Sequence, residues 1–183
     1  MLGALRKLFL PPPPAEVEST YIALVAAARN PFFYTALKVP DTLDGRFELI
    51  VLHLFLLQHR LVAQKSPENE AFGRFLSESF FMDMDRSLRE LGVADTGVSH
   101  RIKKMGKAYH GRLQAYAAGL SDATALRSAL VRNLYGTVED GDVNALDRLA
   151  RYVEVTSAQL VNTDTDVITG GTYAWPDVSK TVA

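Results

Sequence analysis

Val39-Pro40-Asp41-Thr42-Leu43-Asp44-Gly45-Arg46-Phe47, running into Glu48-Leu49-Ile50-Val51-Leu52-His53-Leu54-Phe55-Leu56-Leu57, is the stretch that decides the fold. Its first half is a helix start. Pro40 disfavours the α region for Val39, so a preceding helix ends there. Asp41 can accept from the first free N–H groups of a new helix, and Asp44 adds a negative charge at the positive helix end. The second half is apolar on almost every side, and a helix of that kind has neighbours round most of its circumference. The run is about half of the ~20 residues that a membrane span requires, and Glu48 and His53 interrupt it. These residues predict the central helix of a bundle, running to about Ala63, where Gln58, His59 and Arg60 mark its emergence into water.

Periodicity predicts the helix's neighbours. On the N-terminal side, Tyr21, Leu24, Val25 and Ala28 give a helix over 16–29, ended by Asn30-Pro31, and Phe32 to Leu37 form a short aromatic turn. On the C-terminal side, Ser66 or Asn69 caps a long helix over 70–91, in which Phe72, Phe75, Leu76, Phe80, Met84, Leu88 and Leu91 recur at three- and four-residue steps. Gly92 is its stop. A third long helix, over 95–118, is two-faced: Ile102, Met105, Tyr109, Leu113 and Tyr116 share one side, and His100, Lys103, Lys104 and Lys107 the other. Ser121-Asp122 caps a fourth, closed by Gly136, and a fifth uses Val143, Leu146, Leu149, Val153 and Leu160. The expected fold is all-α, a single-domain helical bundle of about five to seven helices occupying 16–162. Residues 163–183 read as an irregular, extended C-terminal tail that packs across the bundle by Tyr173 and Trp175.

Residues 1–15 stand apart. Leu2, Leu5, Leu8 and Phe9, with Arg6 and Lys7 between them, make a short amphipathic piece, and Pro11 to Pro14 a stiff spacer. A frayed terminus is the plain reading and a weak membrane-touching foot the sharper one. The 183 residues are 48% hydrophobic and 22% charged, which excludes wholesale disorder. A net charge of −1 supplies no global field for nucleic acid or an anionic bilayer. The absence of cysteine excludes a disulfide framework, a Cys-ligated zinc and a Cys nucleophile. No signal-peptide pattern is seen, so the cytoplasm is the expected compartment.

Candidate chemistry is thin. Asp83-Met84-Asp85-Arg86-Ser87-Leu88-Arg89-Glu90 gathers carboxylates, but residues two apart on a helix point in nearly opposite directions, so Asp83 and Asp85 cannot share an ion. A salt-bridged face with Asp85–Arg89 and Arg86–Glu90 pairs is the better expectation. An isoprenoid-synthase reading needs facing Asp-rich motifs, and only this one string occurs. His53 and His59 are off the spacing of a helical metal pair, and His53 reads as a hydrogen-bonded core histidine. No strained Gly-x-Ser-x-Gly elbow and no Gly-rich phosphate loop is present. Gly45, Gly73, Gly106 and Gly111 each cost about 1 kcal/mol against Ala in a helix, which suggests close helix contacts there. The basic face of Lys103, Lys104 and Lys107, flanked by Arg101 and Arg112, can meet phosphates and supports an alternative: a ribosome- or RNA-associated adaptor, without specific DNA binding.

Taken in order, Phe33-Tyr34, Val39-Pro40-Asp41-Thr42-x-Asp44-Gly45-Arg46-Phe47, Leu52-His53, Arg60-Leu61, Phe81-x-Asp83-Met84-Asp85-Arg86-Ser87-Leu88-Arg89-Glu90-Leu91-Gly92-Val93-x-Asp95, Val98, Arg101-x-Lys103-x-Met105 and Tyr109-x-Gly111-Arg112-x-x-Ala115-Tyr116 resemble the ubiquinol–cytochrome c chaperone family, in its bacterial branch. The resemblance runs from about Tyr21 to about Tyr152. It implies a helical assembly factor, not an enzyme and without a cofactor. Such a factor binds newly made cytochrome b, or an early complex III assembly intermediate, and assists assembly of ubiquinol–cytochrome c oxidoreductase. It further implies peripheral work at the inner membrane and allows proximity to the ribosome. A client-binding protein needs exposed apolar surface and polar groups that set orientation. The expected contact surface is Asp83, Arg86, Arg89, Glu90, Lys103, Lys104 and Arg112. For Asp41, Asp44 and Arg46, capping plus an internal ion pair is the competing expectation.

Overall fold

The structure, a computed structural model, describes residues 13–136 and 142–182. These form α1 (Ala15–Ala28), α2 (Phe32–Thr35), α3 (Leu43–Ala63), α4 (Pro67–Glu90), α5 (Asp95–Gly119), α6 (Ala123–Leu134), α7 (Val143–Val161), α8 (Thr165–Thr169) and α9 (Val178–Thr181). No strand occurs among the described residues. Six of the helices have 12 to 25 residues, and three are short, so the fold is the all-α bundle that the periodicity predicts. The amphipathic N-terminal piece, with its membrane-touching reading, falls on residues outside those described.

α3 is the axis. It packs against α1, α4, α5, α6 and α7, and every residue from Phe47 to Leu57 is buried. Each fully buried Leu or Phe of that run contributes about 1.5–3 kcal/mol, which is why so apolar a helix takes the middle of the bundle. Its start differs from expectation in one atom set. Thr42, not Asp41, is the N-cap, its hydroxyl accepting from Gly45 N. Asp41 instead holds Arg46 at 2.7 Å on the surface, the internal ion pair anticipated above. The chain turns so tightly here that a Cβ on Gly45 would collide with the Pro40 carbonyl.

Three polar side chains are buried on α3, and each has partners. His53 is fully buried; Nδ1–H donates to the Leu49 carbonyl at 2.7 Å, leaving Nε2 to accept the Tyr152 hydroxyl at 2.9 Å. Burial holds its pKa down at about 4, so the ring is neutral. Arg60 is drawn inward: Nε donates to the Leu160 carbonyl at 2.8 Å and Nη2 to that of Thr163 at 3.0 Å. It thereby satisfies carbonyls at the negative end of α7, where a cation is favoured. Glu48 is held through both carboxylate oxygens by Arg112 of α5.

The tail is less irregular than its composition suggests. α8 packs on α1, α9 packs on α7 and α2, and Arg148 Nε donates to the Val182 carbonyl at 3.0 Å. Tyr173 is buried, and Trp175 lies 4.9 Å, centroid to centroid, from His53. Two expectations need correction. Arg86 pairs with Asp83 at 2.6 Å instead of with Glu90, because Asp83 is itself fixed by the Tyr21 hydroxyl of α1 at 3.1 Å. The expected Asp85–Arg89 pair forms, at 2.6 Å. The glycine expectation also fails in part. A Cβ would meet nothing within 4 Å at Gly106 or Gly111, whereas Gly119, which was not singled out, sets the close α5–α6 approach, with Leu126 Cα 2.7 Å from where a Cβ would lie.

Candidate functional site

The start of α3, the end of α4, the middle of α5 and the end of α6 surround an open cleft of ≈ 750 Å³. Its floor is apolar: Phe47, Ile50, Met84, Leu88 and Leu134 line it and are buried in the core. Leu43 and Leu91 line it from the rim and remain 48% and 64% exposed. These two positions explain each other in sequence terms. Leu43 opens α3 immediately after its cap and so has no preceding helical turn beside it, and Leu91, the C-cap of α4, has no following one.

Charge is unevenly distributed around this floor. Arg29, Arg46, Arg101, Lys104, Arg112 and Arg132 line the cleft against Asp44, Glu48 and Glu90. Two of the cations are neutralised. Arg46 is held by Asp41, and both oxygens of Glu48 accept from the Arg112 guanidinium, through Nε and Nη2. That second pair is the electrostatic anchor of the site: the Glu48 side chain is 5% exposed and that of Arg112 22%. Burial pushes the Glu48 carboxyl above its ordinary pKa, and the Arg112 guanidinium opposes the rise. Arg112 also stands 5.8 Å from the centroid of the Phe47 ring, tying α5 to the cleft floor. Arg29, Arg101, Lys104 and Arg132 are exposed and make no ion pair among the described residues.

The seven residues expected to form a contact surface divide between two places. Glu90, Lys104 and Arg112 line the cleft. Asp83 faces α1 through Tyr21, with Arg86 outside it and 71% exposed. Arg89 bridges Asp85 and Asp95 across the α4–α5 turn, and Lys103 is exposed on α5 away from the cleft lining. The structure therefore does not gather all seven into one surface. Arg29, Arg132 and the apolar floor belong to the cleft without having been singled out from sequence. Arg132 is one cation in the last turn of α6 and Arg29 the C-terminal cap of α1. Only the packing of five helices brings them to one rim.

No group of His, Cys, Asp and Glu among the described residues is placed to hold a metal ion. No described helix is long and apolar enough to cross a membrane. The arrangement offers an open apolar trough with a cationic rim, which suits binding by shape and charge.

Comparison with known proteins gives this geometry a context. The sequence profile of the family described as ubiquinol-cytochrome C chaperone matches residues 35–175, which include the whole cleft lining except Arg29. The chain is 28% identical over 125 residues to the mitochondrial protein CBP3 of Saccharomyces cerevisiae, covering 67% of this chain and 37% of that one. It is 28% identical over 155 residues to the ubiquinol-cytochrome c reductase complex assembly factor 1 of Drosophila melanogaster, covering 81% of this chain and 59% of that one. The chain thus spans less than two thirds of either relative. A crystal structure of the Cbp3 homolog from Brucella abortus superposes with a TM-score of 0.81 at 38% identity, over 91% of each chain.

Proposed function

The chain belongs to the ubiquinol–cytochrome C chaperone family, and from that premise we propose that it is a non-catalytic assembly chaperone for ubiquinol–cytochrome c oxidoreductase, complex III. Its client is newly made cytochrome b, or an early complex III intermediate that contains it, and the cleft at the start of α3 receives part of that client. The observation that carries this reading is a coincidence of place. Each of the three strings behind the family resemblance (39–47, 81–95 and 98–116) contributes lining residues to one open cleft with an apolar floor. Leu43 and Leu91, left exposed at its rim above that floor, are a cost in isolation and a binding surface in company. Because that client is membrane-bound, the chaperone works peripherally at the inner membrane.

The test is genetic and biochemical. In cells lacking the gene, the wild-type chain restores ubiquinol–cytochrome c reductase activity and co-purifies with cytochrome b. Arg101→Glu/Lys104→Glu, two exposed changes that leave the core intact, restores neither, while Lys107→Glu, on the same helix but outside the cleft lining, restores both. Full restoration by the double variant would remove the cleft from the mechanism. Normal complex III without the gene would remove the function.

A further inference from the structure

The charge left over at the cleft specifies more about the bound segment than its being apolar. Once the Glu48–Arg112 and Arg46–Asp41 pairs are set aside, the lining retains, among the described residues, Arg29, Arg101, Lys104 and Arg132 against Asp44 and Glu90. The whole chain, by contrast, carries a net charge of −1. The excess of cations is therefore local to this rim and opposite in sign to the protein that bears it. Resting on the chaperone reading above, we propose that the cleft selects an acidic amphipathic segment of its client, one that lays apolar side chains against the exposed Leu43 and Leu91 at the edge of the Phe47–Met84–Leu88 floor and directs carboxylates at Arg101, Lys104, Arg132 and Arg29.

Guanidinium groups pair with carboxylates in two-point, charge-assisted hydrogen bonds, and three of the four cations are arginines. They come from three separate elements, the end of α1, the first half of α5 and the last turn of α6. That distribution suits carboxylates spaced along a segment better than one phosphate. Finally, a volume of ≈ 750 Å³ takes the apolar face of a short helix, not a folded domain. Other occupants fit less well. The chain's own N-terminal piece carries Arg6 and Lys7 among its apolar residues, and so brings the wrong sign. Two copies meeting cleft to cleft would oppose cation to cation.

The decisive experiment uses the full chain and two synthetic helical peptides labelled with fluorescein. Both carry Leu at i, i+3, i+4 and i+7; one has Glu and the other Lys at the flanking positions. Fluorescence anisotropy at low and raised salt gives the affinities. The expected result is saturable binding of the Glu peptide that weakens with salt, and little binding of the Lys peptide. Arg101→Glu/Lys104→Glu is expected to weaken the Glu peptide by about tenfold or more, while Lys107→Glu leaves it unchanged. Circular dichroism confirms that the variants are folded. Equal binding of both peptides, or full affinity in the double variant, overturns the proposal. So does a cleft-dependent affinity for phosphatidylglycerol vesicles in place of the peptide, which would make the occupant a lipid. If the Glu peptide is ignored while co-purification of cytochrome b still requires Arg101 and Lys104, this proposal fails and the chaperone reading stands.

Discussion

Removing Arg112 while keeping Glu48 is the sharpest perturbation the structure offers. Glu48 lies on the innermost helix with its side chain 5% exposed, and both its oxygens are taken by Arg112. Breaking a buried ion pair from one side costs about 3–5 kcal/mol, because the remaining charge is stranded. Arg112 is itself 22% exposed, so water reaches the site once it is gone and the lower end applies. Arg112→Met should therefore destabilise the protein by about 3 kcal/mol at pH 7. For a chain of 183 residues that is a fall in Tm of roughly 6–12 °C. The sign of the pH dependence follows from the carboxyl. Burial already raises its pKa and Arg112 is the main opposing influence, so the variant raises it further. A raised carboxyl pKa penalises the fold above the unfolded value of 4.5, and the penalty fades as the pH falls towards it. The deficit is thus largest at neutral pH and smaller near pH 5. Adding Glu48→Gln to Arg112→Met removes the stranded charge and recovers most of the loss, since neutral replacement of a whole buried pair is often close to neutral in stability. Urea titrations of the four proteins of this cycle, at pH 7 and pH 5, measure all of these quantities. A coupling below about 0.5 kcal/mol, or a deficit that grows on acidification, would falsify the account.

Three further outcomes follow from the same packing. His53, with its pKa depressed to about 4 by burial, supports the fold while neutral. That support is present above the unfolded value of 6.5 and is lost as the pH falls towards 4, by up to about 1.4 kcal/mol per pH unit. His53→Gln should flatten this limb of the stability curve, and curves that run parallel would contradict it. Arg60→Ala should loosen the tail, since charge-assisted hydrogen bonds to the end of α7 contribute about 1.5–3 kcal/mol. Trp175, the one tryptophan, reports the loss as a red shift in emission, and an unshifted spectrum with normal stability would show the tail to be held otherwise. At the glycines the signs divide. Gly119→Ala drives a methyl group towards Leu126 and should destabilise by about 1–3 kcal/mol, whereas Gly106→Ala and Gly111→Ala, which meet nothing, should each stabilise by up to about 1 kcal/mol in thermal melts.

What was legible in the sequence divides along the same physical line. The axis of the bundle was, because a run apolar on all sides has only one place to go, and Pro40 marks where it begins. The Asp85–Arg89 pair was, because i,i+4 geometry is local. Arg86 chose Asp83 over Glu90 because Tyr21, sixty-two residues earlier, fixes Asp83, and no local rule carries that information. Gly106 and Gly111 misled for the same reason: a helical glycine shows that a Cβ is absent, not that a neighbour fills its place. The cleft was half legible. Glu90, Lys104 and Arg112 belong to strings conspicuous for their charge, but a rim that also needs Arg29 and Arg132 exists only after α1 and α6 have packed.

That rim also explains why a bundle with so apolar an axis keeps an opening beside it. Closing the cleft would desolvate Arg29, Arg101, Lys104 and Arg132, and would bring like charges together, a cost that burial of a few more apolar atoms does not offset. The Glu48–Arg112 pair takes no part in that repulsion, since it is internally neutral; it fixes α5 against α3 and so sets the distance between the walls. The free protein and the occupied one must then respond to salt differently. Added salt screens the rim and raises the Tm of the free chain, while it weakens the hold on an acidic segment and lowers the stabilisation which that segment confers by mass action. A Tm measured against potassium chloride concentration, with and without the Glu peptide, gives two lines that converge as salt rises. Parallel lines would mean that the rim cations neither hold the cleft open nor recognise what enters it.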